Sequence, residues 1–166
     1  YRDRHRHDSR PTAGCACLKP RRERAEEVAP TVGFTPETFR FRRVHFRVYD
    51  MAGGGRYRGL WEAQFGDVEA MIFVIDCGDK MRVAVAKHEL DNILKHPELE
   101  GVPILFFANK QDVPHSLSSD ECVENFDLAS IDGRRWAIFP TVAITGEGVD
   151  EGMQWLSNEL KGKNKK

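Results

Sequence analysis

Two uninterrupted apolar runs constrain this chain more than any other feature: residues 70–76, Ala-Met-Ile-Phe-Val-Ile-Asp, and residues 102–109, Val-Pro-Ile-Leu-Phe-Phe-Ala-Asn. Neither alternates between apolar and polar positions, so neither suits a sheet with one wet face. Continuous runs this short fit strands covered on both sides, as in a parallel sheet. Parallel strands need a crossover, and the interval supplies one: Val83, Ala86, Leu90, Ile93 and Leu94 recur at helical spacing, with Pro97 following as a stop signal. Upstream, residues 38–41 and 44–49 are expected to form a hairpin, the second strand alternating as Val44, Phe46 and Val48, with Arg42 and Arg43 at the bend. Downstream, residues 136–142 resemble a further strand. Val149, Met153, Trp155, Leu156 and Leu160 mark a closing helix before a solvated Lys-rich tail at 161–166. Strands and helices that alternate in this way predict an α/β fold with a mostly parallel, doubly wound sheet.

The same runs fall short of the roughly 18 or more apolar residues that a membrane-spanning helix needs. A net charge of -1 over 166 residues argues against general nucleic-acid or anionic-lipid binding by the whole chain. The sum hides a split. Residues 1–30 carry eight basic and five acidic side chains, a local charge of +3, while the other 136 residues hold 17 and 21, or -4. Within that first stretch only Leu18 and Val28 are aliphatic residues larger than alanine, too little burial to offset the entropy of ordering. Residues 1–29 are therefore expected to be an atypical, disordered segment, a solvated tail and not a lipid- or RNA-binding arm. With Tyr1 first, and neither a signal-peptide core nor a myristoylation start near it, the beginning reads as a fragment or an internal start. Four cysteines are too few and too irregular for a disulfide scaffold, so reduced thiols in an intracellular setting are expected, with Cys77 and Cys122 structural. Cys15 and Cys17 with His5 and His7 match no zinc-finger spacing.

In doubly wound sheets ligands gather at the carboxyl ends of strands, so the residues just past each run are where chemistry is expected. The most specific place is Asn109-Lys110-Gln111-Asp112, after the second run. An aspartate there can accept two hydrogen bonds from the ring N–H and exocyclic amine of guanine, a donor pair that adenine lacks. Asn109 can tie the base edge to neighbouring loops, and the Lys110 stem can pack along the base plane. The alternative is an ordinary polar turn. Next is Asp50-Met51-Ala52-Gly53, where a carboxylate can hold magnesium through water and Gly53 can bring its N–H to a terminal phosphate. Weaker signals are the Thr31 hydroxyl, a possible magnesium ligand close to Gly33, and the stretch from Val142 through Ala143 to Gly148, whose backbone N–H groups can meet the base.

In this order and spacing the four places resemble switch I, switch II, the NKxD motif and the final base-contact motif of small GTPases of the ADP-ribosylation-factor family, over about 130 residues from Pro30 to Leu160. The stretch from Asp50-Met51-Ala52-Gly53-Gly54-Gly55 to Trp61, together with Ile104 to Lys110, looks most like the ciliary Arf-like subfamily that recruits the BBSome coat. The resemblance implies a Ras-like P-loop NTPase fold, GTP or GDP with Mg2+ as ligands, and a guanine-nucleotide switch in membrane or ciliary protein trafficking. By resemblance Thr31 ligates magnesium, Asp50 holds it through water, and Gly53 senses the γ-phosphate. Asn109, Lys110 and Asp112 grip guanine, and Ala143 contacts its carbonyl. Effector or coat proteins, including a BBSome-like coat, would meet the switch regions in the cytoplasm, at the ciliary base or on a membrane periphery, with no nucleic-acid partner.

The departures are as informative. The position after Gly53, where the family has the glutamine that orients the attacking water, is Gly54, so no catalytic residue is assigned and hydrolysis is expected to be slow. No G-x-x-x-x-G-K-[ST] motif occurs in the 166 residues. Loss of about four charge-assisted hydrogen bonds at roughly 1.5 to 3 kcal/mol each would weaken nucleotide binding at least ~10⁴-fold. The family's first strand, which precedes the P-loop, lies between the strands at 44–49 and 70–76; without it both would present an unpaired edge. Leu18-Lys19-Pro20 resembles the end of the family's first helix, which makes a wrong reading frame, an alternative exon or a truncated gene model the expectation for the thirty residues at the start. The family's membrane-inserting helix is not visible, so stable membrane attachment is not expected. Three readings stay open: a GTP-dependent switch, a nucleotide-independent pseudo-GTPase that engages partners through Tyr57, Leu60, Trp61 and Phe65, a stripe at near-helical spacing that more often belongs to a core, and a nonfunctional product.

Overall fold

The structure, a computed structural model, describes residues 31–163 apart from Gly54 and Arg58. The expectations for residues 1–30, for the set of His5, His7, Cys15 and Cys17, for Gly54 and for residues 164–166 lie outside the described residues.

The hairpin forms from β1 (Phe34–Phe41) and β2 (Val44–Met51), paired antiparallel from Phe41 opposite Val44 to Phe34 opposite Met51. It starts four residues earlier than the alternation predicts, because Pro36 and its neighbours break the apolar pattern while still pairing with β2. Proline is tolerated on such an edge strand. Phe39, Phe41, Val44, Phe46 and Val48 face inward, while Thr38, Arg40, His45 and Arg47 face solvent. Arg42 makes the bend with φ 54°.

The apolar runs become β3 (Met71–Asp76) and β4 (Ile104–Asn109), in parallel register from Met71 opposite Ile104 to Asp76 opposite Asn109. The expected third strand is β5 (Trp136–Pro140), parallel to β4 and two residues shorter than predicted. Its end falls at Pro140, which has no N–H to continue a ladder. The crossover helix is α2 (Val83–Leu94), burying Ala86, Leu90 and Ile93. Together with α3 (Ser119–Asn125) it covers one sheet face, where Phe73, Ile75, Ile104, Phe106 and Phe126 pack. The closing helix α4 (Val149–Lys163) covers the other with Met153 and Leu156 against Ile72, Leu105 and Phe107, and the hairpin's Phe46 and Val48 join that layer. Burial on both faces is what the two uninterrupted runs require.

Among the described residues β2 pairs only with β1, and β3 only with β4. A cavity of about 240 Å³ lies between them, lined by Phe46 and Val48 of β2, Met71 and Phe73 of β3, Trp61 and Leu156.

Two local features carry predictions. The Ser157 hydroxyl is fully buried in α4 and has no partner among the described residues. A buried unpaired hydroxyl costs about 1 kcal/mol or more, so Ser157→Ala is expected to raise the melting temperature by roughly 3 °C in a thermal scan. At the start of α3, Ser118 and Glu121 form a capping box: the Glu121 N–H donates to Ser118 Oγ at 3.1 Å and the Ser118 N–H donates to Glu121 Oε2 at 2.8 Å. The Ser118 backbone bond holds the Glu121 carboxyl below its usual range. A carboxyl depressed on folding stabilises the native state above its unfolded pKa, and that contribution is lost as pH falls through the folded value. Acidification through the carboxylate range is therefore expected to lower the protection of amides in the first turn of α3, measured against the intrinsic exchange rate at each pH, and Glu121→Gln to remove that pH dependence of the protection.

Candidate functional site

Asn109 ends β4, and its side chain reaches sideways. Its Oδ1 accepts the Ala143 N–H at 3.0 Å and the Thr141 hydroxyl at 3.4 Å, while its backbone carbonyl accepts the Cys77 N–H at 3.1 Å. One residue thereby joins the end of β3, the end of β4 and the loop after β5. Lys110 follows with φ 67°, a left-handed conformation uncommon outside glycine and costly enough to need support. That support is Asp76 at the end of β3: Lys110 Nζ lies 2.5 Å from Asp76 Oδ2, and the Asp76 side chain is only 9% exposed. A carboxylate so covered needs a cation beside it. Gln111 braces the same loop, its Nε2 donating to the carbonyls of Ala108 at 3.2 Å and Leu117 at 2.9 Å, and its N–H to Thr141 O at 3.2 Å. With its neighbours so held, Asp112 stands exposed at the rim.

The facing loop is as tightly specified. Thr141 is 2% exposed, and Val142 bridges to Glu147 with the Gly146 N–H donating to Val142 O at 2.8 Å. Gly148 closes the turn at φ 74°, and a Cβ there would stand 1.9 Å from the Pro140 carbonyl oxygen, so only glycine fits.

A second group of residues sits at the end of the hairpin. The Thr31 hydroxyl donates to Asp50 Oδ2 at 2.7 Å, and the Ala52 N–H donates to Gly33 O at 2.9 Å, so the two predicted segments lie side by side. Gly53 is buried immediately after them. The Trp61 indole N–H donates to Ala52 O at 3.1 Å from the short helix α1 (Gly59–Glu62). Trp61 is 7% exposed and belongs to the core, and Phe65 packs against that core; of the expected partner surface only Leu60, 41% exposed, is fully open. Indole burial with its N–H satisfied is the usual fate of a tryptophan in such a stripe.

Thr31, Gly33, Asp50 and Gly53 thus gather at the hairpin end, and Asn109, Lys110, Asp112 and Ala143 at the carboxyl ends of β4 and β5. Sequence reasoning missed Asp76, Thr141 and Gln111, the residues that hold the second group. Asp76 left a signal, a lone carboxylate closing an apolar run; the buried Thr141 left none.

The sequence model of the ADP-ribosylation factor family matches residues 16–160. ADP-ribosylation factor-like protein 6 of Danio rerio is 43% identical over 146 residues, covering 87% of this chain and 78% of that protein. ADP-ribosylation factor 3 of Arabidopsis thaliana is 44% identical over 132 residues, covering 80% of this chain and 72% of that protein. Among solved structures, the Arl6 BBS3 small GTPase from Trypanosoma brucei, with the bound nucleotide analogue GppNp, superposes with a TM-score of 0.77 at 39% identity, covering 82% of this chain and 84% of that one.

Proposed function

Because the chain belongs to the ADP-ribosylation factor family of small GTPases, we propose that it acts as a guanine-nucleotide switch in membrane or ciliary trafficking, with a weakened hold on the phosphates. The observation that carries this reading is the loop at 109–112: Asn109 tied to Thr141 and Ala143, Lys110 paired with Asp76, and Asp112 left exposed. A free carboxylate on a braced loop suits the two adjacent donors of guanine. The Thr31 hydroxyl and the Asp50 carboxylate are hard oxygen donors of the kind magnesium takes, and they already converge. When bound, Mg2+ would neutralise phosphate charge; Thr31 and Asp50 would hold it, Gly53 would offer its N–H to the γ-phosphate, and the Ala143 N–H would meet the guanine carbonyl. Gly54 offers no side chain to orient water, so hydrolysis is slow. Effector or coat proteins, a BBSome-like coat among them, engage the segments around Thr31 and Leu60, in the cytoplasm or at a membrane or ciliary base.

Titration of the purified protein with a fluorescent GTP analogue in magnesium tests this. Saturable binding that guanine but not adenine nucleotides compete away is expected, with turnover below that of an Arf-family member carrying glutamine after the Gly53 position. A folded protein that binds neither nucleotide would overturn the switch in favour of a nucleotide-independent module.

A further inference from the structure

Beneath the loop at 110–118 lie two thiols with no part of their own in nucleotide binding, the Cys77 thiol within reach of the Gln111 side chain. Cys77 follows the last residue of β3, Cys122 lies on α3, and their Sγ atoms are 3.5 Å apart although 45 residues separate them in the chain. Both are fully buried and neither is in a disulfide. A disulfide needs the sulfurs at about 2.05 Å, so roughly 1.5 Å of approach closes the bond. The contact also polarises the pair. The shared hydrogen bond, then burial, push the Cys77 thiol up, while the same bond pulls Cys122 down against the opposing effect of burial. Cys122 is thus the sulfur readier to carry the negative charge, and the thiolate is the nucleophile.

The surroundings give the pair a consequence. The Leu117 N–H donates to Cys77 O at 2.9 Å, Gln111 Nε2 donates to Leu117 O, and Ser118 caps α3. The loop carrying Lys110 and Asp112 therefore runs from a point near Cys77 to the helix that holds Cys122. We propose that Cys77 and Cys122 form a reversible intrachain disulfide when the protein meets hydrogen peroxide, pinning α3 to the end of β3 and closing the loop between them. Local opening at the Leu117 contact admits the oxidant. The Cys122 thiolate attacks one peroxide oxygen, breaking the O–O bond and giving a sulfenic acid; the departing hydroxide takes a proton and leaves as water. The Cys77 sulfur then attacks the Cys122 sulfur, the S–O bond breaks, and the Cys77 proton leaves with that oxygen as a second water. Two thiols are oxidised by two electrons and one peroxide is reduced. A dithiol reductant reverses the change.

The experiment uses the full chain, treated with hydrogen peroxide, alkylated and cut with trypsin, which cleaves after Arg58, Lys80, Lys110 and Arg134. Peptides 59–80 and 111–134 are expected to be joined, about 2 Da lighter than their sum, and to separate with dithiothreitol. Amide exchange at Leu117 is expected to slow about tenfold on oxidation. Cys77→Ser should leave Cys122 as a sulfenic acid trapped by dimedone. Alkylation of both cysteines after treatment, or linkage of either to Cys15, Cys17 or another molecule in place of this bond, would overturn the proposal; unchanged exchange at Leu117 would overturn the pinning. The peptide map of the unmutated chain decides even where a serine variant fails to fold, and it does not depend on nucleotide binding.

Discussion

Replacement of Gly148 by alanine is expected to lower the melting temperature by about 10 °C. The backbone there has φ 74°, where a Cβ costs about 1–2 kcal/mol. The added carbon would also stand 1.9 Å from the Pro140 oxygen, 3.1 Å from its carbonyl carbon and 3.2 Å from the Thr141 methyl. Two of those atoms are backbone at the end of β5, so no rotamer change relieves the clash and the turn itself must move. Overpacking of this kind adds roughly 1–3 kcal/mol, for a sum of about 3 kcal/mol, or ~10 °C at the slope expected for a domain of this size. Gly146→Ala separates the two causes: its φ is 84°, yet a Cβ there meets nothing within 4 Å. That variant should lose only about half as much, and equal losses would show that the Pro140 contact is not decisive. The displaced turn carries Thr141 and Ala143, so the Asn109 contacts should fail with it.

Asp112→Asn is expected to change nucleotide choice without a matching loss of stability, because the side chain is exposed. The carboxylate can accept from both guanine donors at once, and hydrogen bonds to a charged group contribute about 1.5–3 kcal/mol each. An asparagine amide keeps one acceptor and turns a donor toward the exocyclic amine. Guanine affinity should fall ~10²- to 10³-fold. Xanthine carries a carbonyl in place of that amine, so the same amide should favour it. Competition of guanosine and xanthosine diphosphates against a fluorescent probe measures both; an unchanged preference would remove Asp112 from the base site.

Strong local physics made much of this molecule legible. Residues 70–76 and 102–109 could become little other than doubly covered strands, and Asn109 to Asp112 followed one of them to the carboxyl edge of the sheet. The hairpin's inner face was visible in Val44, Phe46 and Val48 because alternation has a single structural meaning. Legibility failed where the decisive partner is remote in sequence. Asp76 matters because Lys110 folds back onto it across 34 residues, and Thr141 because Asn109 reaches it across 32. Trp61 lay on a stripe whose spacing suits the core more often than a surface, and the Ala52 carbonyl that decides for the core lies nine residues away. The first four residues of β1 extend the backbone ladder without alternating, and the Phe34 ring that meets Tyr49 edge-on finds its partner on the other strand.

The separation of the two sheets has a mechanical consequence. Among the described residues β2 shares no ladder with β3, and the hairpin is seated on the rest of the molecule by Phe46 and Val48 in one apolar layer, by Met51 in the other and by the Trp61 indole on the Ala52 carbonyl. Hydrogen-bonded ladders resist sliding in steps of one residue, whereas apolar contacts are non-directional and can be exchanged for similar ones along the strand. Thr31 and Asp50 therefore sit with one ladder and Asn109 and Asp112 with another, and among the described residues side-chain contacts are what keep the two groups in register.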